Sequence, residues 1–382
     1  MKIGLSVAFT EENYGQLLQA FATQEILEKK GHQTEIIDYR RNGFDGIRFT
    51  PWLAVYAIKR ISKRIKLNTQ KNEMLYDEPH QRNLSERKQS ADKFRNERLH
   101  NIVRCNGNDE LIQRGKEYDV VLVGSDQCWL PMSCFGNLRT LRFVPDDVRK
   151  VSYATSIGVA KYPLYCRSSA RQFLNRFDYI SVREEQGKKA IEEICQKKVE
   201  VVLDPTYLLT KEDWEILFPS ERIVKEKYAL CYFLGDNKQS KTTAAKFARE
   251  KGLKVVSILS NESYSEIDLS FADEIVIGKG PDEFLNLIRN AEYVFTDSFH
   301  GVAFSVINEK QFYVFYRHAL SSTGSRNSRI DNILNTWNLQ DRLITDSNIN
   351  RIGQTEINYK KVNSILDNRR GQSLQYLEKA LQ

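Results

Sequence analysis

Short runs rich in β-branched residues alternate with helix-spaced apolar patterns along most of this 382-residue chain, and that alternation is its strongest constraint. Strand followed by helix followed by strand favours a parallel sheet, because the crossover helix returns the chain to the same edge. Lys2 to Ala8 reads as a first strand and Thr34 to Tyr39 as a second. Between them Leu18, Phe21, Ala22 and Ile26 fall on one helical face, and the basic Lys30 with Gly31 ends that helix. Further strands are expected at Asp119 to Val123, Lys150 to Ala154, Tyr179 to Val182 and Glu200 to Leu203. A second series follows at Tyr228 to Leu234, Lys254 to Leu259, Glu274 to Ile277, Tyr293 to Thr296 and Phe312 to Phe315. Helices are expected at about 238–251, 281–290 and 299–308.

The length fits two domains of ordinary size. The pattern predicts an N-terminal α/β domain over 1–218, interrupted at about 41–115 by a charged helical insertion without strand signals. A C-terminal α/β domain over 226–357 follows, and a last helix over 358–382 is placed to cross back to the first domain. Two such sheets create a ligand cleft at the carboxyl ends of their strands.

Composition narrows the setting. A hydrophobic content of 41% supplies both cores and excludes a disordered chain. The 57 Lys+Arg against 50 Asp+Glu leave +7, a mild excess that suits anionic substrates or a membrane surface better than nucleic acid. The six cysteines show no C-x-x-C or Cys/His spacing, so neither a disulfide framework nor a zinc site is expected. Ile3 to Phe9 is too short for a signal peptide and is followed by Glu11 and Glu12, which predicts a cytoplasmic protein.

Thr296-Asp297-Ser298-Phe299-His300-Gly301 ends one predicted strand and opens a helix, so His300 is expected at a helix N-terminus. Free N–H groups and the helix dipole favour an anion there. A histidine in that position can act chemically or simply cap the helix. Arg183 follows the strand Tyr179 to Val182, where it can clamp an anion bidentately or pair with Glu184 or Glu185. Gly124-Ser125-Asp126-Gln127 is a polar strand-end loop that can hold sugar hydroxyls or cap the next element. Tyr14-Gly15 lies in the first strand–helix loop without a G-x-G-x-x-G fingerprint, and Asp204-Pro205-Thr206 reads as a turn. Arg317, Arg326 and Arg329 follow the last predicted strand, as a divided anion site or a solvated basic loop. Within Pro51 to Leu67, Ala54, Ile58, Ile61 and Ile65 share one helical face and Lys59, Arg60, Lys63, Arg64 and Lys66 the other. This is the pattern of an interfacial helix on an anionic membrane, or of a packed helix with a wet basic face.

Taken in order, these pieces resemble the polysaccharide pyruvyl transferase family. The likeness runs through Asn13-Tyr14-Gly15, Ile37-Asp38-Tyr39, Gly124-Ser125-Asp126-Gln127-Cys128-Trp129, Ser152-Tyr153-Ala154 and Ser181-Val182-Arg183-Glu184. It continues through Leu203-Asp204-Pro205-Thr206, the His300 segment and Ser328-Arg329-Ile330, covering roughly 1–40 and 118–345. The resemblance implies two Rossmann-like domains in a GT-B-like arrangement, phosphoenolpyruvate as co-substrate, no cofactor and no metal. It implies a ketal bridging two hydroxyls of a sugar, in surface polysaccharide synthesis on a lipid-linked acceptor.

The donor site then comprises Arg183, Ser298, His300, Gly301 and Arg317, with His300 and Arg183 catalytic. The acceptor side comprises Asn13, Tyr14, Ser125, Asp126, Gln127 and Arg329. On this scheme His300 is the acid that protonates the donor methylene, while the arginines hold its phosphate and carboxylate. A nucleotide-sugar glycosyltransferase and a non-catalytic sugar- or lipid-binding relative are the alternatives, since the fold is shared among functions.

Overall fold

The computed structural model describes residues 1–43, 46–47, 77–317 and 327–382. The basic segment Pro51 to Leu67 and Arg326 lie outside the described residues. The chain divides into two compact units. One gathers the described parts of Met1–Ile58, Arg95–Leu209 and Asp367–Gln382; the other, those of Lys59–Phe94 and Thr210–Leu366.

The first unit is built on β1 (Lys2–Ser6), β2 (Gln33–Arg40), β3 (Ile102–Asn106), β4 (Val120–Asp126), β5 (Arg149–Thr155), β6 (Ile180–Val182) and β7 (Val199–Val201). These strands lie in the order β3-β2-β1-β4-β5-β6-β7, and the pairings are parallel. Helix α1 (Tyr14–Lys29) joins β1 to β2 and is apolar on almost every side, so nearly all of it is buried. Its two inward glutamines are satisfied. Gln24 donates to Thr34 Oγ1 and His100 O at 2.9 Å each, and Gln19 donates to Ala8 O at 2.7 Å. Buried amides persist because every polar atom finds a partner.

Strand β3 falls inside the charged, mostly helical stretch in which no strand was expected. Only Cys105 of its five residues is buried. As the edge of the sheet it shows solvent a mostly polar face, and apolar alternation is too weak to register in sequence.

The second unit is built on β8 (Tyr228–Tyr232), β9 (Lys254–Ile258), β10 (Glu274–Val276), β11 (Tyr293–Thr296), β12 (Gln311–Phe315) and β13 (Leu343–Ile344). Their order is β10-β9-β8-β11-β12-β13, again paired in parallel. The two-residue β13 was also not expected. Among the described residues, the helices after α1 are, in chain order, α2 (Glu78–Arg98), α3 (Gly107–Gly115), α4 (Leu164–Leu174), α5 (Glu185–Glu192) and α6 (Lys211–Leu217). Then come α7 (Lys238–Glu250), α8 (Pro281–Asn290), α9 (Phe299–Ile307), α10 (Ser328–Trp337) and α11 (Tyr359–Leu381).

On one face of the second sheet, Ala244, Ala245, Phe247 and Ala248 of α7 pack with Cys231, Phe295, Tyr313 and Phe315. Tyr232, Phe284 of α8 and Phe304 of α9 form a second run of aromatic contacts. Each sheet therefore has a point where strand order reverses: between β1 and β4, and between β8 and β11. Ligands of such sheets settle at the carboxyl ends of the strands flanking that point.

Candidate functional site

At the second reversal, β11 is pinned to β8 by side chains rather than by the ladder alone. Thr296 Oγ1 donates to Tyr232 O at 2.7 Å and accepts from Ser298 N at 3.0 Å. The Asp297 carboxylate accepts from the backbone N–H groups of Leu234 and Gly235, both at 2.8 Å. This staple fixes the loop after β8 against the start of α9. Ser298 caps α9, its hydroxyl accepting from Gly301 N at 3.4 Å. A Cβ on Gly301 would lie 2.3 Å from Thr296 Oγ1, so only glycine allows the helix start to sit this close to the strand end. His300 is in the first turn of α9, 8% exposed, with its ring edge-on to Phe299. As the sequence reading required, it stands at a helix N-terminus on the carboxyl edge of the sheet.

Arg317 follows β12, the parallel neighbour of β11. Its Nη1 lies 3.1 Å from Glu262 Oε2 and its Nε 3.8 Å from Asp297 Oδ2, and the side chain is 20% exposed. Thus Ser298, His300, Gly301 and Arg317 come together along two adjacent strand ends. Arg329 lies half-buried in the first turn of α10.

The first reversal is arranged differently. Gln19 again supplies a staple, donating to Ala8 O and accepting from Ser125 N at 3.0 Å. The Gly124–Ser125 peptide is cis, and a Cβ on Gly124 would lie 1.8 Å from Tyr153 O, which excludes any other residue there. Ser125 is 0% exposed, and its hydroxyl donates to Asp204 Oδ2 at 2.7 Å and to Ala154 O at 3.1 Å. The Arg183 guanidinium reaches Asp204 at 3.1 Å, Glu184 at 3.3 Å and Asp126 at 3.4 Å, with its side chain 1% exposed. Burial opposes its charge, but Glu184, Asp126 and Asp204 outweigh burial and hold it protonated with a raised pKa.

Four expected site residues are engaged within the protein here. Three carboxylates surround the Arg183 guanidinium. Ser125 is sealed inside the same cluster. Tyr14 is buried at 1% exposure as the first residue of α1, while Asn13 caps that helix by accepting from Gln16 N at 3.2 Å. Asp126 and Gln127 remain half-buried after β4.

Asp204 was read as a plain turn residue, yet it caps the turn Pro205–Tyr207 and also joins this cluster. Its signal in sequence was only an acidic residue at a strand end. Among the described residues, no group of three or more His, Cys, Asp or Glu is arranged to hold a metal ion.

A family model described as polysaccharide pyruvyl transferase matches residues 13–318. Among solved structures, the UDP-GlcNAc 2-epimerase of Neisseria meningitidis aligns with a TM-score of 0.52 at 12% identity, over 98% of this chain and 94% of that one. The enzyme of the same name from Rickettsia bellii gives 0.52 at 9%, over 100% and 97%. That of Methanocaldococcus jannaschii gives 0.50 at 13%, over 96% and 92%. At these identities the likeness shows the fold: an α/β chain with two parallel sheets, of the GT-B-like class. No curated protein matches the chain in sequence.

Proposed function

Because the chain belongs to the polysaccharide pyruvyl transferase family, we propose that it moves the pyruvyl group of phosphoenolpyruvate onto two hydroxyls of one sugar, as a ketal. The observation that carries this reading is the placement of His300. It opens α9 at the strand-order reversal of the second sheet, beside Ser298, Gly301 and Arg317. A helix start offers N–H groups and a positive dipole end to phosphate or carboxylate, and Arg317, just past β12, is held beside it by Asp297 and Glu262.

In the proposed reaction, protonated His300 donates its proton to the methylene carbon of the donor, leaving a cationic C2. One sugar hydroxyl forms a bond to C2 and gives up its proton. The bond from C2 to the phosphate oxygen then breaks, and inorganic phosphate departs with the bonding electron pair. The second hydroxyl closes the ketal and releases its own proton. Ser298 and the α9 amides steady the departing anion, where fixed donors act most strongly on developing charge. No residue of this scheme calls on a cofactor.

Arg183 enters as a positioning group that fixes the loop after β4 through Asp126 and Asp204. A lipid-linked acceptor in surface polysaccharide synthesis, met from the cytoplasmic side, is the setting that the family supports. The helix-spaced Ile and Lys/Arg positions in the sequence of 51–67 fit contact with an anionic membrane there, or a packed helix with a wet basic face. No described helix is long and apolar enough to cross a membrane.

The direct test is release of inorganic phosphate from phosphoenolpyruvate, measured with a panel of soluble and lipid-linked oligosaccharides. Acceptor-dependent release that His300→Ala removes is the expected result. Wild-type protein that releases none with any acceptor, or that instead consumes a uridine diphosphate sugar, refutes the proposal.

A further inference from the structure

The second unit also contains a cavity of about 470 Å³ at the carboxyl ends of β8, β12 and β13, within the size range of small-molecule sites. Its floor is apolar: Phe315 ends β12 and Ile344 ends β13, and both are buried. Its wall is the first two turns of α7, where Ser240 and Thr243 contribute hydroxyl groups. Asp236 and Asp346 stand exposed at its rim, and Tyr316 and Arg317 line it as well.

The charges on this lining disfavour an anion. Arg317 is its cation, and Glu262 and Asp297 already hold that group. The two rim carboxylates would repel phosphate or carboxylate, so phosphoenolpyruvate is poorly matched to the cavity itself. An uncharged ring with an apolar face and several hydroxyls is well matched. Its C–H face can lie on Phe315 or Tyr316, and its hydroxyls can donate to Asp236 and Asp346 and exchange hydrogen bonds with Ser240 and Thr243. Hydrogen bonds from a neutral hydroxyl to a carboxylate are among the stronger ones. Arg317 of this lining lies 3.8 Å from Asp297, which directly precedes the Ser298 cap of the helix that carries His300.

We infer that this cavity is the acceptor subsite, taking one uncharged pyranose ring with adjacent free hydroxyls. The assignment deepens the pyruvyl transfer reading and rests on it for the word acceptor; sugar binding itself does not. It moves the acceptor from Asn13, Tyr14, Ser125, Asp126, Gln127 and Arg329 to this cavity of the second unit. Asp236, Asp346 and Thr243 become the groups that select the sugar.

The experiment is saturation-transfer NMR titration of the full chain with methyl glycosides of glucose, galactose, mannose and N-acetylglucosamine, without donor. At least one glycoside is expected to saturate, and Asp346→Ala should weaken it roughly tenfold, as loss of one charge-assisted hydrogen bond implies. Thr243→Val, which keeps shape and removes one hydroxyl, should weaken it less. His300→Ala should leave the titration unchanged while removing phosphate release, so the two readings fail separately. If glycosides bind but no acceptor elicits phosphate release, pyruvyl transfer is wrong and the sugar site stands. Absence of saturation with every glycoside overturns the cavity assignment. So does binding indifferent to both Asp346→Ala and Thr243→Val, or uridine diphosphate binding that those variants weaken.

Discussion

The two strand-order reversals share one construction and end in opposite chemistry. In each, a single side chain staples the two strand ends: Gln19 bridges Ala8 O and Ser125 N, and Asp297 gathers the amides of Leu234 and Gly235. Each is followed or preceded by a capped helix, with Asn13 on α1 and Ser298 on α9. At the first reversal the Arg183 guanidinium is engaged by three carboxylates. Arg139 reaches Ser6 Oγ at 3.2 Å, and Arg95 donates to Phe9 O and Glu11 O, so other cations also approach the end of β1. At the second, His300 opens α9 at the sheet edge, and Arg317, paired with Glu262 and Asp297, lines a cavity. A strand-end motif therefore declares where a site can be, while burial and local charge balance decide whether it is one.

The sharpest way to break this contrast is His300→Ala. General acid catalysis contributes roughly 10²- to 10⁴-fold, and turnover should fall by that order with little change in melting temperature. A variant that keeps wild-type phosphate release removes the chemical role from the second reversal.

Arg183→Met should act on stability instead. It leaves Asp126, Glu184 and Asp204 facing one another with no cation, and unpairing buried charges costs about 3–5 kcal/mol. Urea denaturation should show that loss. If Arg183→Lys leaves the denaturation midpoint alone and raises only the Michaelis constant for phosphoenolpyruvate, the first reversal binds donor as well, and the contrast collapses.

A smaller effect separates the two by pH. In the second unit His80 is buried with Asp77 as hydrogen-bond partner, near Asp268 at 3.7 Å, with Lys241 and Tyr264 also packed there. Burial opposes its charge, but Asp268 and Asp77 outweigh burial and raise its pKa above 6.5. The stability it contributes is thus complete below the unfolded value and fades as pH rises through the raised one. Melting temperature should decline across that interval, and His80→Gln should flatten the decline. Asp268 has the opposite sense: its pKa is lowered despite burial, chiefly by His80 and Lys241, so its contribution fades only in acid. An unchanged slope in His80→Gln rules out this linkage.

The smallest effects belong to the two caps. Asn13→Ala and Ser298→Ala should each cost about 1 kcal/mol of stability. Only Ser298→Ala should also slow turnover, since its hydroxyl sits next to the proposed donor site. Equal kinetic penalties from both would make the two helix starts functionally alike.

Much of this was readable before the fold was known. Tyr293 to Thr296 and Pro281 to Asn290 were expected at their observed limits, because long apolar runs and a Pro at a helix start are local signals. The His300 segment was legible for the same reason, being strand, turn and helix in unbroken succession. β3 and β13 were missed because one is an exposed edge and the other is two residues long. Glu184 was legible as a partner of its neighbour Arg183, whereas Asp204 read only as a turn residue because its ion pair with Arg183 joins two separate strand ends.

The sequence by itself determined the parallel α/β class, the crossover helix that follows several of the strands, and the helix-start position of His300. These follow from periodicity and capping, which act over a few residues. Tertiary structure alone decided that Arg183 is sealed among carboxylates and that Arg317 lies beside Asp297. It also decided that Asp236, Ser240, Phe315 and Asp346 surround one cavity. Charge compensation and enclosure depend on which side chains meet across a sheet, and no local pattern encodes that meeting.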